Sequence, residues 1–395
     1  MKRAKKLNGI ISILIIVLLV LNTDIVKAEI NAPKLNGHHA FIAIDARTGQ
    51  VLMSDNADKR VYPASTTKLM TAVVVLEKVD MKKTIKVTSK MLKQVPQGCS
   101  NYGIKKGETY KVSTLLNMLL ICSAGDAGIC LAVGSFGSVN KCVEAMNDKC
   151  KMLGLSDTNF DNPVGVDIGN GYNSIYTTAN DMAKITRYAM GREEIKKIVK
   201  RKSLTVYQAS GKKGRKITST NKFYYDQEYS EDLYTIIGSK SGTTNAAGYV
   251  FIATAIDNEG REIICVYMGK ESRNATFGDI RKILDKVYKT RNDGKIELSI
   301  GKSKLKTDFK DITIEYDVDK TININTKIVD QDTKYEYSGI DEIIKYSSSN
   351  KDVVEVDKAG NIKVKGIGNA TIKIKSLKTT YHDEQIKEIS VTVIE

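Results

Sequence analysis

Strand-like apolar runs stand at the two ends of the first 290 residues, with helical periodicity filling the interval between them. At the front, Phe41-Ile42-Ala43-Ile44-Asp45 and Gln50-Val51-Leu52-Met53 read as two strands around an Arg47-Thr48-Gly49 turn. At the back, Tyr249–Ile256 and Glu262–Met268 are strand-like again. Between them lie helical patterns at 66–78, 113–122, 126–133, 139–153 and 178–189, and a last helix is expected near 277–289. Backbone N–H and C=O groups of a strand need partners, so strands separated in this way pair with each other. The expectation is an α+β unit over 29–290, an antiparallel sheet closed from its two chain ends and flanked by helices.

After Arg291-Asn292-Asp293-Gly294 the pattern changes. From 303 to 395 the chain alternates with almost no helical signal: Ile312/Ile314, Ile322/Ile324, Val353/Val354/Val356, Ile362/Val364, Ile372/Ile374 and Ile389/Val391/Val393. Asp357-Lys358-Ala359-Gly360-Asn361 reads as a hairpin turn between two such runs. A linker over 291–302 and an all-β sandwich over 303–395 are expected. The 395 residues accommodate both units, and 42% hydrophobic with 27% charged residues excludes disordered, collagen-like and polytopic membrane classes.

Residues 1–28 read as an address. Lys2, Arg3, Lys5 and Lys6 precede a charge-free, largely apolar run from Ile10 to Leu21, shorter than the ~20 residues of a membrane span. Val26-Lys27-Ala28 offers small residues at the −3 and −1 positions, so cleavage of a signal peptide after Ala28 is expected, with an uncleaved anchor as the alternative. The segment carries five basic groups and one acid, so its removal lowers the net charge from +15 to +11. For an exported chain that charge suits a polyanionic wall or an anionic membrane surface better than nucleic acid, unless the lysines are simply scattered solvated faces. The chain ends Ile389-Ser390-Val391-Thr392-Val393-Ile394-Glu395, a strand pattern with no sign of an amphipathic anchor. A secreted or wall-associated protein is expected.

All six cysteines (Cys99, Cys122, Cys130, Cys142, Cys150, Cys265) precede residue 266, and none has zinc-finger spacing. Cys122/Cys130 and Cys142/Cys150, each eight apart, are placed on two helices; ~12 Å of rise prevents a bridge within either pair. A link between the helices and free thiols both remain open. There are only three His, which makes a Ser–His–Asp hydrolase or a His-rich zinc enzyme hard to assemble. Lysine is the abundant candidate for a base.

Tyr62-Pro63-Ala64-Ser65-Thr66-Thr67-Lys68 opens a helix, with Pro63 in its first turn. Ser65 and Lys68 are three apart and so share a face. A serine needs a neighbouring base to become nucleophilic, and a lysine desolvated beside another cation supplies one, because both effects favour its neutral form. Alone, S-x-x-K also describes an ordinary exposed pair in a lysine-rich chain. Two more elements accompany it: Cys122-Ser123-Ala124-Gly125-Asp126 between two helices, and Gly238-Ser239-Lys240-Ser241-Gly242-Thr243-Thr244 preceding a strand, of which Lys240-Ser241-Gly242 alone also describes a polar turn. Together they offer a nucleophile, a base, a proton relay and an anion clamp, in the order S-x-x-K, S-x-N, K-T-G.

With these motifs, residues 40–290 resemble the serine-type D-alanyl-D-alanine carboxypeptidases, low-molecular-mass penicillin-binding proteins of the serine β-lactamase-like superfamily. The stretches Ala43–Leu52, Asn56–Arg60, Leu153–Leu155, Thr158–Gly165 and Thr177–Ala183 carry the likeness beyond the motifs. The resemblance implies a β-lactamase/transpeptidase-like fold. It implies that Ser65 attacks the carbonyl between two terminal D-alanines of a peptidoglycan stem peptide, that Lys68 is the base and that Ser123 relays the proton to the leaving amine. Lys240, Ser241, Gly242 and Thr243 would bind substrate, with the Ser65 and Thr243 N–H groups as oxyanion hole, β-lactams would inhibit as stable esters on Ser65, and no metal or cofactor would enter the chemistry. Ser347–Asn350 through Gly366–Ile372 resemble the bacterial immunoglobulin-like repeat, which implies a spacer or a contact with a cell-wall polymer.

The chain departs from the family pattern at three places. Gly125 replaces the S-x-N asparagine, a loss worth ~2.7–4 kcal/mol unless water or Asp126 substitutes. Ser241 replaces the threonine of K-T-G and keeps its hydroxyl. A carboxylate-binding arginine falls at Thr276, with Arg273 nearby as its replacement. Two other readings compete: a wall-binding protein with a weakened active site, favoured by Gly125, and a serine β-lactamase. Against the second, residues 151–190 contain no Glu to serve as a deacylating base.

Overall fold

The computed structural model describes residues 30–395 except 36, 38, 168–173, 226–232, 293–302, 318–319, 331–343 and 378–383. The expected signal peptide and most of the expected linker lie outside these residues.

The central sheet consists of β1 (Ala40–Asp45), β2 (Val51–Asp55), β3 (Thr235–Thr244), β4 (Gly248–Ile256) and β5 (Glu262–Lys270). Their order is β2-β1-β5-β4-β3, antiparallel throughout. The two chain ends meet where β1 pairs β5, from Ala40 opposite Met268 to Asp45 opposite Ile263. Side chains of a strand alternate between faces. Ile42, Ile44, Ile264 and Val266 therefore enter a large helical core, while Phe41, Ala43, Ile263 and Cys265 enter a second core on the opposite face. Both faces are covered, which is why β1 is buried along its whole length.

Helices α1 (Lys68–Lys78), α2 (Val112–Ile121), α3 (Gly125–Phe136), α4 (Val139–Met152), α5 (Ala179–Met190) and α6 (Glu193–Val199) follow in the chain. Helix α1 is buried all round from Lys68 to Val75, because α2 to α5 pack around it. The last helix, α7 (Arg273–Asn292), covers the second core with Phe277, Ile280, Leu284 and Val287. It begins four residues before the expected start, so Arg273 and Thr276 are helical. The sequence reading also passed over α6, a single turn at Ser89–Leu92 and two short hairpins, Thr84–Lys86 with Thr109–Lys111 and Ser203–Tyr207 with Lys213–Thr218.

Two further readings are corrected. Lys240–Thr244, expected to precede a strand, itself lies inside β3, paired with β4. The four eight-spaced cysteines occupy three helices, since Cys122 caps α2 while Cys130 belongs to α3. All six thiols are free, and Cys130, Cys142, Cys150 and Cys265 are buried.

Among the described residues the C-terminal region forms a four-stranded sheet, a three-stranded sheet and a two-stranded pair of Ser303–Lys306 with Lys327–Asp330. The first orders Asp311–Glu315, Gln385–Ile394, Gly368–Ser376 and Ile344–Ser348; the second orders Thr321–Asn323, Asn361–Val364 and Val354–Val356. Ile314, Val354, Ile362, Ile372, Ile374 and Val391 share one core. The hairpin turn falls where expected: the Asp357 carboxylate accepts the N–H groups of Ala359 and Asn361 at 2.8 and 2.9 Å.

Candidate active site

Ser65 sits in a 3-10 turn, Ala64–Thr67, that runs directly into α1. Ala64 has φ +47°, a left-handed conformation that costs a non-glycine residue ~1–3 kcal/mol. Neighbouring backbone holds the turn: a Cβ on Gly165 (φ +78°) would collide with the Ala64 carbonyl, and one on Gly242 would lie 2.8 Å from the Ser65 nitrogen. Each glycine permits a strand or loop to approach the serine more closely than any side chain would allow.

Lys68 is 1% exposed. Its Nζ donates to Ser65 Oγ at 2.6 Å and to the Val164 carbonyl at 2.7 Å. Burial lowers its pKa from 10.5 to about 8; Cys99 and Cys122 oppose this only as thiolates. The Val164 carbonyl is aimed by Asn162, whose Oδ1 accepts the N–H groups of Val164, Gly165 and Val166 at 3.1, 2.7 and 3.3 Å. Thr71 Oγ1 adds a bond to the Pro163 carbonyl at 2.7 Å. This backbone acceptor leaves no side-chain signature, although the Asn-Pro-Val-Gly run could have pointed to it.

Ser123 follows α2 with φ +61°, a second left-handed non-glycine residue at the cleft. Lys240 Nζ donates to Ser123 Oγ at 3.0 Å. Lys240 is 1% exposed, and its burial together with the nearby Lys68 charge holds it well below the usual lysine range. Burial thus shifts both lysines toward the neutral form, and the Lys68 charge disfavours a proton on Lys240. Ser241 Oγ donates to Thr220 Oγ1 at 2.7 Å, and Thr243 Oγ1 donates to the Gly242 carbonyl at 2.7 Å.

The cleft, about 180 Å³, is lined by Ser65, Ser123, Ser241, Gly242, Thr243 and Arg273 among others. All seven residues singled out in the sequence therefore meet around one site. Arg273 reaches it from the first turn of α7, held by a bond to the Thr220 carbonyl at 2.7 Å. Thr276 is turned inward, 1% exposed, with its hydroxyl on the Ser272 carbonyl. Asp126 does not substitute for the missing asparagine. Its carboxylate accepts the N–H groups of Tyr102, Gly103 and Ile104 at 3.0, 2.7 and 2.9 Å, which fixes the loop before α2.

A hydroxyl paired with a desolvated lysine, and a second lysine paired with a second hydroxyl, are what an active-serine site with an amine base requires. The sheet-and-helix frame around it is of the transpeptidase and β-lactamase type. A model of the family described as D-alanyl-D-alanine carboxypeptidase, peptidase S11, matches residues 27–272. The D-alanyl-D-alanine carboxypeptidase DacF of Bacillus subtilis (strain 168) is 30% identical over 294 residues, 72% of this chain and 72% of the relative. DacD of Escherichia coli (strain K12) is 31% identical over 257 residues, 62% of this chain and 61% of the relative. Among solved structures, the Streptomyces K15 DD-transpeptidase aligns with TM-score 0.60 and 27% identity, covering 66% of this chain and all of that one. The D-alanyl-D-alanine carboxypeptidase of Mycobacterium tuberculosis H37Rv aligns at TM-score 0.58 and 26% identity, covering 66% and 94%. The chain belongs to the peptidase S11 family of D-alanyl-D-alanine carboxypeptidases.

Proposed function

We propose that the chain removes the terminal D-alanine from peptidoglycan stem pentapeptides through an acyl-enzyme on Ser65. The observation that carries this reading is the 2.6 Å contact between the Lys68 amine and the Ser65 hydroxyl in a site where burial favours the neutral amine. Ser65 Oγ attacks the carbonyl carbon of the penultimate D-alanine while Lys68 Nζ takes its proton. The N–H groups of Ser65 and Thr243 stabilise the tetrahedral oxyanion. The C–N bond then breaks, and Ser123 passes a proton to the departing amine. Water hydrolyses the ester and regenerates the Ser65 hydroxyl.

Lys240, Ser241, Gly242 and Thr243 hold the substrate's terminal carboxylate, with Arg273 adding a charge at the mouth of the cleft. Penicillins share that carboxylate and a strained acyl bond, so they acylate Ser65 and leave slowly. The basic net charge and the predicted leader suit an exported enzyme working in an anionic wall. The C-terminal sheets serve as an immunoglobulin-like spacer or a contact with a wall polymer. No helix among the described residues is long and apolar enough to cross a membrane. The test is D-alanine release from a synthetic stem pentapeptide: release by the native chain and none by Ser65→Ala supports the proposal. Release that persists in Ser65→Ala, or no release by the native chain, refutes it.

A further inference from the structure

We propose that Cys99 is a positioning residue of this active site: carried on the loop before α2, its side chain fills the place into which the third residue of the S-x-N motif would project, and it keeps water away from Lys68. The inference rests on the reading of Ser65 and Lys68 given above and adds a residue to it.

Gly125, which stands at that third position, has no need of glycine's conformational freedom. It opens α3 and is not among the residues with positive φ. Space is what requires it. A Cβ here would collide with Cys99 Sγ and lie 2.8 Å from Cys99 Cβ and 3.3 Å from the Ser100 carbonyl. An asparagine at 125 and a cysteine at 99 are therefore mutually exclusive in this backbone, and the chain has placed the side chain on the loop instead of the helix.

The loop cannot swing away to relieve that contact. Gly125 N–H donates to the Ser100 carbonyl at 2.6 Å and Asp126 N–H to Asn101 Oδ1 at 3.0 Å. The Asp126 carboxylate holds the next three N–H groups, and the Arg215 guanidinium donates to the carbonyls of Asn101 and Tyr102. Ser100, the next residue, lines the cleft with Ser65 and Ser123.

A thiol cannot reproduce the donors of an amide, so its contribution lies in bulk and polarity. Among the described residues, Cys99 on the loop and Cys122 at the end of α2 act on Lys68, raising it only when they are thiolates; the Lys68 charge acts on Lys240 of β3, and Asp126 acts on both thiols. Burial pushes both thiols up, so they are neutral near pH 7 and serve as low-polarity packing beside the amine. Shortening Cys99 admits water, which favours the ammonium form and leaves less free base.

The test follows covalent labelling of the full chain by a fluorescent penicillin as a function of pH. In Cys99→Ala the rising limb of the acylation rate moves up by ~0.5–1 pH unit, a ~3–10-fold slower reaction below the limb. Cys99→Ser, of nearly the same volume, moves it most of the way back. Gly125→Asn alone loses ~10²-fold or more, and adding Cys99→Gly recovers at least ~10-fold of that, because room for the amide now exists. A pH profile of Cys99→Ala that superimposes on the native one overturns the inference, whether or not the asparagine variants fold. So does a folded double variant no faster than Gly125→Asn. If the native chain takes no label, the Ser65 reading itself has failed.

Discussion

Replacing Lys68 by Met tests whether the amine beside Ser65 is held against its preference for water. Lys68 sits fully buried, with its pKa lowered from 10.5 to about 8 chiefly by desolvation. Above pH 10.5 both folded and unfolded chains carry the neutral amine, and the group adds no penalty. Between 10.5 and 8 the unfolded chain takes up a proton that the fold refuses, so stability falls as pH falls. Below about 8 the penalty is complete and constant. At ~1.4 kcal/mol per pH unit it amounts to ~3 kcal/mol. Met fills much the same space without a charge. Its loss of the bonds to Ser65 Oγ and the Val164 carbonyl (2.6 and 2.7 Å) has little pH dependence and largely cancels when two pH values are compared. The stability of Lys68→Met minus that of the native chain should therefore shrink by ~3 kcal/mol between pH 7 and pH 10.5. Relief of Lys240, which the Lys68 charge disfavours, acts with the same sign. Urea denaturation of both proteins across this range gives the difference directly. Parallel curves would refute the claim that the fold desolvates this lysine, and with it the basis for its acting as a base at neutral pH.

Two further outcomes follow from the packing. Gly242→Ala places a Cβ 2.8 Å from the Ser65 nitrogen and 2.9 Å from Ala64 Cβ, so β3 must retreat from the nucleophile. D-alanine release is expected to fall ~10²-fold while the melting temperature changes by only a few degrees; native-like activity would contradict the close approach. Asp126→Ala leaves the N–H groups of Tyr102, Gly103 and Ile104 without their carboxylate. Destabilisation of at least ~3 kcal/mol in urea is expected, with hydrogen exchange rising first at 102–104; an unchanged midpoint would show that the loop has other anchors.

Much of this was legible in the sequence because it is local. The 3.6-residue pattern placed most of the helices of the first unit, and the spacing of Ser65 and Lys68 put them on one face. What escaped reading depends on distant partners. Lys240-Ser241-Gly242 alone also describes a polar turn because serine and glycine favour turns, yet pairing with Gly248–Ile256 makes it a strand. The glycine that weakens it as a strand is the one that lets it pass Ser65. The three-residue ladder of Thr84–Lys86 with Thr109–Lys111 is too short to show a period. The Val164 carbonyl is a backbone group, signalled only indirectly by the Asn162-Pro163-Val164-Gly165 run around it. Gly125 was legible as a departure, but only the fold shows Cys99 in the space it vacates. Asp126, weighed as a replacement for the amide, is committed to the loop instead.

The central claim is that Ser65 forms a covalent acyl-enzyme with Lys68 as its base. Mass spectrometry of proteolytic fragments after brief exposure to benzylpenicillin tests it most directly. The account predicts one penicilloyl adduct per chain, on the peptide containing Ser65, absent in Ser65→Ala and strongly reduced in Lys68→Met. An adduct on Ser123 or elsewhere, or full labelling in Lys68→Met, would contradict it.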